Sequence, residues 1–79
     1  MAKTGLQVGD LVSPIADTLV RSVPQATYHS RGRVREWKES EIGVLLEVRQ
    51  TKGGVKACAL LDGEQWWILV YRLRRAADP

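Results

Sequence analysis

Ile42-Gly43-Val44-Leu45-Leu46-Glu47-Val48-Arg49-Gln50 has the period-two order of a β-strand. On that reading Ile42, Val44, Leu46 and Val48 share one face, and Leu45, Glu47 and Arg49 share the other. Thr51-Lys52-Gly53-Gly54 follows, and Gly-Gly tolerates the positive φ of a tight hairpin turn. Val55-Lys56-Ala57-Cys58-Ala59-Leu60-Leu61 is the return strand, and Asp62-Gly63 is a second hairpin signal. Glu64-Gln65-Trp66-Trp67-Ile68-Leu69-Val70 makes the next strand. Three strands joined by two glycine-bearing turns predict an antiparallel meander.

The last strand of that meander is apolar on both faces. Trp66 goes with Ile68 and Val70 by parity, and Trp67 with Leu69 and Tyr71. Parity leaves open which tryptophan faces the core. It does predict that one side meets the core while the other meets a different part of the chain or a partner. Downstream, a one-turn bend is expected around Val70 to Arg72, then a short closing strand holding Leu73. Residues 76–79 read as a tail.

Upstream, Gly9-Asp10 is a turn pair, Leu11-Val12 begins a short strand, and Pro14 ends its ladder because proline has no N–H. Residues 1–7 read as a leader. Residues 15–41 form a long excursion punctuated by Pro24 and Gly32. Structureless loops of that length are uncommon in compact domains, so a hairpin-like arm is expected. Within it, Ala16 to Val20 suits either a helical turn or an extended piece.

The totals narrow the function classes. A chain of 79 residues makes one domain, here residues 8–75. Its one cysteine, Cys58, allows no internal disulfide and no thiolate zinc cage, and the one histidine, His29, allows no multi-histidine site. No metal and no cofactor is expected. With no apolar signal segment and no stretch of about 18 apolar residues, a soluble intracellular protein without a membrane partner is expected. The formal charge of +3 permits a nucleic-acid partner without requiring one. There is no paired-carboxylate pattern, phosphate-cradling glycine loop or nucleophile motif, so neither catalysis nor a small-molecule substrate is expected. Cys58, between two alanines, reads as a buried thiol.

Three groups of residues are candidates for partner contact. Arg33, Arg35 and Lys38 surround Trp37 in the excursion. Basic residues around an aromatic can grip a nucleic-acid strand. Glu36, Glu39 and Glu41 dilute that field, so a protein-docking arm fits better, and a solvated hairpin is the plainer alternative. Trp67 and Tyr71 are the candidate outward anchors, because aromatics are enriched at interface hot spots; otherwise they are packing residues. Arg72, Arg74 and Arg75 form a basic patch for phosphates or an acidic surface, or else a solvated end.

Val8 to Val12, Ile42 to Val48, Leu60 to Gly63 and Trp66 to Leu73 together resemble the small SH3-like proteins encoded by tailed bacteriophages. The match covers roughly half the chain, and its motifs are mostly structural punctuation. The resemblance implies an all-β fold: a small SH3-like, five-stranded antiparallel barrel with a long first-loop excursion at 15–41. It also implies a non-enzymatic structural or accessory protein, docked onto capsid, neck or tail proteins of a virion assembled in the host cytoplasm. The excursion is longer than the family's usual first loop. The acidic, tyrosine-rich loop of eukaryotic SH3 domains is absent, which argues against proline-peptide recognition. The alternative reading is a nucleic-acid-binding or host transcription-modulating small barrel.

Overall fold

The computed structural model describes residues 5–76. Seven strands form one antiparallel sheet: β1 (Leu11–Pro14), β2 (Thr18–Arg21), β3 (Val34–Trp37), β4 (Gly43–Thr51), β5 (Gly54–Leu61), β6 (Glu64–Leu69) and β7 (Leu73–Arg75). A 3-10 turn at Val70–Arg72 separates the last two. The order across the sheet is β3-β2-β6-β5-β4-β1-β7, and the sheet curls into a half-barrel. Among the described residues there is no α-helix.

The meander β4-β5-β6 forms as its turn chemistry predicts. At the second turn both Asp62 and Gly63 have positive φ, 50° and 81°, the pairing that lets a two-residue hairpin follow the strands' right-handed twist. The bend and the closing strand after β6 also form where expected.

The strand count differs from five because the excursion contributes two more. Thr18 to Arg21 is extended rather than helical, and pairs along its whole length with Val34 to Trp37. Val20 and Trp37, both buried, are the reason: only a paired hairpin brings these two side chains to the open end of the sheet. The hairpin joins the sheet through Arg21 opposite Trp67.

The face assignment of β4 also differs. A bulge between Leu45 and Glu47 leaves Leu46 out of the ladder, which flips the parity midway. Leu45 is thereby fully buried and shares the inner face with Val48, while Ile42 stays exposed. The inner face carries the core: Val12, Val20, Trp37, Leu45, Ala57, Ala59, Leu61, Trp66, Ile68, Val70 and Leu73. With no phenylalanine in the chain, Trp37 and Trp66 supply its bulk.

Trp37 sets the entry to β4. Its indole Nε1 donates to the carbonyl of Glu41 at 2.9 Å. The Glu41 carboxylate accepts from the Lys38 backbone N–H at 2.9 Å and from the Arg35 guanidinium at 3.0 Å. Asp17 accepts the Glu39 N–H at 2.8 Å, which ties this turn to the segment just before β2. Gly43 follows immediately, backed so closely against β5 and Trp37 that a side chain has no room.

The described part of the leader touches the barrel. Leu6 packs against the core, and the Arg75 guanidinium donates to the carbonyl of Gly5 and to the carboxylate of Asp10. Ala76 still donates to Leu11 at 2.8 Å. Residues 1–4 of the expected leader and 77–79 of the expected tail lie outside the described residues.

Candidate functional site

Residues directly opposite one another in a sheet point to the same side. Val34, Arg21, Trp67, Cys58 and Glu47 therefore form one row across the outer face, opposite the core. Leu69, Lys56 and Arg49 form the next row. Trp66 faces the core and Trp67 faces out, so the two-sided β6 is resolved. Trp67 is nevertheless only 8% exposed. The Arg49 guanidinium lies 4.8 Å from its ring centroid, and the chain leaving β2 folds down beside it. Lys56 Nζ pins that chain by donating to the Pro24 carbonyl at 2.7 Å.

Between this chain and β6 runs an open groove of about 260 Å³. Its apolar lining is Leu19, Val23, Pro24, Trp67 and Leu69. Arg21, Lys56 and Arg72 supply positive charge around it. Each donates to a neutral oxygen: Arg21 to the Arg31 carbonyl at 3.0 Å, Lys56 to Pro24, and Arg72 to the Thr18 hydroxyl at 3.1 Å. None of the three has a carboxylate partner among the described residues. Arg33, Arg35, Arg49 and Arg75 all do, with Glu64, Glu41 and Asp62, Glu47, and Asp10 respectively.

The expected site residues separate into four places. Trp37 is wholly buried; its neighbours on the chain are charged, but its parity within β3 points it into the core, so its ring is not presented on the surface. Arg33 and Arg35 lie over the Trp66 ring, 5.2 and 5.9 Å from its centroid. Lys38 sits exposed on the Glu41 turn. Tyr71 is 68% exposed on the 3-10 turn, beside a second hollow of about 230 Å³ lined by Ile15, Ala16, Asp17, Thr18 and Arg72.

The basic patch is dispersed by strand geometry. Arg75 is drawn to Asp10, Arg74 points away exposed, and Arg72 alone joins the groove. Leu19, Arg21, Pro24 and Lys56 were not singled out from the sequence. The one available signal was the apolar second face of β6, and it named no neighbours.

Two groups carry shifted proton affinities. The Asp10 carboxyl is held below its usual range by the Gln7 N–H donating to it at 2.7 Å, and further by Arg75. The Cys58 thiol is pushed up by burial and by the Glu47 carboxylate. A buried thiol kept neutral in this way is a poor nucleophile. Among the described residues no group of three or more His, Cys, Asp or Glu side chains is arranged to hold a metal ion. Comparison with known protein families, with curated proteins and with solved structures finds no match to this chain.

Proposed function

We propose that this chain is a non-catalytic docking module: a small SH3-like barrel of the kind tailed bacteriophages encode, which attaches to other virion proteins in the capsid, neck or tail. The observation that carries the proposal is the part of the sheet's outer face that no other described residue covers. Leu19 is 69% exposed there, on the lining of an open groove, and Val34, opposite Arg21 on the neighbouring strand, is exposed on the same face. Exposed apolar side chains beside a groove rimmed by charge suit an interaction site. The SH3-like assignment is supported by the sheet order: without the β2–β3 hairpin, five antiparallel strands remain, β6-β5-β4-β1-β7, built on the expected meander. The hairpin takes the role of the docking arm.

The test is size exclusion with light scattering on the chain alone and with candidate capsid, neck and tail proteins, together with mass spectrometry of purified particles. Co-elution and presence in the particle are expected. A chain absent from particles and always eluting alone would end this reading.

One other reading has an observation in its favour. Three cations without carboxylate partners suit a phosphate backbone. Against it, the Trp67 ring is buried beneath Arg49 and presents no face on which a base could stack.

A further inference from the structure

We infer that the outer-face groove binds a short acidic segment of a partner protein, with an apolar side chain seated on the floor and flanking carboxylates held by Arg21, Lys56 and Arg72. This rests on the docking reading and names the chemistry of what docks.

Size, floor and rim point the same way. A groove of about 260 Å³ is below the roughly 300–1,000 Å³ of a typical small-molecule site, and has room for one or two side chains. The floor of Leu19, Val23, Pro24 and Leu69 offers no buried polar group to satisfy, so the side chain that enters is aliphatic. The rim is the selective element. Elsewhere the chain answers most of its arginines with a carboxylate of its own, yet at the groove three cations in a row lean on neutral oxygens. Glu36, opposite Leu19 on the edge strand, is not among the lining residues. A carboxylate arriving from outside displaces only a neutral acceptor, and gains a charge-assisted hydrogen bond of about twice the strength.

The same rim accounts for how specificity would arise. Arg21 and Arg72 stand on different elements, β2 and the 3-10 turn, and Lys56 on a third, β5. Carboxylates must therefore flank the apolar residue on more than one side to reach them all. A uniformly apolar segment leaves three charges desolvated without partners, which disfavours it.

The experiment is a selection from a random 12-residue displayed peptide library against the full chain, with affinities of the winners measured by fluorescence anisotropy. The expected winners carry two or more Asp or Glu around a Leu, Ile, Val or Met. Their affinity falls at least about tenfold when the acids become Asn or Gln, and again when salt rises from 50 to 500 mM. The double variant R21Q/R72Q, made at two exposed positions, keeps the urea midpoint of the parent and loses the winners about tenfold or more. The single variant Leu19→Ser weakens them without changing the salt dependence. Neutral or basic winners, no enrichment, winners that bind R21Q/R72Q as they bind the parent, or twelve-residue oligothymidylate binding tighter than any peptide would each overturn the inference. Failure here with continued co-elution with a particle protein would leave the docking reading standing without this groove; absence from particles would remove the docking reading instead.

Discussion

Gly43→Ala tests the packing that holds the arm to the barrel. A methyl built at Gly43 comes within 2.9 Å of the Leu60 carbonyl oxygen, 3.0 Å of Leu61 Cδ2 and 3.2 Å of Trp37 Cζ2. Comfortable carbon contacts lie near 3.5–4.0 Å, so each neighbour must retreat by roughly half an ångström. Leu61 and Trp37 are both buried, with no free rotamer to take up the displacement. The Leu60 oxygen belongs to β5, and moving it strains the β4–β5 ladder at Val44 opposite Leu60. Overpacking of this kind costs about 1–3 kcal/mol. Because Gly43 is outside the left-handed region, alanine carries no backbone penalty and recovers about 0.4–1 kcal/mol through the unfolded chain. With three close contacts at once, one of them backbone, the overpacking falls at about 2–3 kcal/mol and the net loss at about 1–2.6 kcal/mol, a fall in Tm of roughly 4–8 °C for each kcal/mol. Urea unfolding followed by tryptophan fluorescence measures it directly, since all three tryptophans are buried. Adding Leu61→Ala to Gly43→Ala removes one of the three clashes, so the double variant loses less than the two single losses combined. Full recovery is excluded by the backbone contact. A Gly43→Ala protein within about 0.5 kcal/mol of the parent would refute this account of the approach between β4 and β5.

Asp62 separates backbone from charge: Asp62→Gly keeps the positive φ and removes only an exposed ion pair with Arg35, so stability stays within about 0.5 kcal/mol, whereas Asp62→Val costs about 1–2 kcal/mol in the same urea titration. Asp10 has a folded-state carboxyl affinity below its unfolded one, so its contribution is present above about pH 4 and is lost as pH falls through the folded value. Asp10→Asn is thus less stable than the parent at pH 7, with a gap that closes towards pH 2; a gap constant over that range would exclude the charge-based explanation. Native Cys58 reacts with a thiol reagent at pH 8 far more slowly than the urea-unfolded chain does, because burial and Glu47 both hold the thiol neutral. Equal rates, followed spectrophotometrically, would mean that β5 opens freely to solvent.

The meander was legible because its signals are local. Gly-Gly and Asp-Gly turns and period-two runs need only neighbours in the sequence, and the bend and closing strand at Val70 to Arg75 follow from chain length left over. The β4 bulge was not legible: Leu45 and Leu46 are chemically alike, and only the opposing Ala59 and Cys58 decide which one drops out of the ladder. Trp37 was misplaced for the same reason. Its sequence neighbours, Glu36 and Lys38, are charged, but its spatial neighbours, Val20 and Gly43 with Leu61 behind, are those of a core. The groove is further still from local information. Arg21, Lys56 and Arg72 are brought together by a pairing at Arg21 and Trp67 that joins residues 46 positions apart, and no periodicity in either segment announces it. The second apolar face of β6 was the sole trace, and it signalled that something covers Trp67 without naming Pro24, Lys56 or Arg49.

How the sheet ends also bears on how this domain meets a partner. An open sheet has two edges, each a row of backbone groups that another strand could pair with. At one edge, β3 is four residues long, and Arg33 and Arg35 beside and within it are engaged with Glu64, Glu41 and Asp62. At the other edge β7 has three residues, and Arg75 is engaged with Asp10 and Gly5. Short, charged edges are the usual defence against strand addition. Beside an open Leu19 and groove, such edges favour recognition through side-chain contacts on one face. Those contacts are set by the register between β2 and β6, so a substitution that slipped this single pairing would erase the docking surface and draw Val20 and Trp37 out of the core with it.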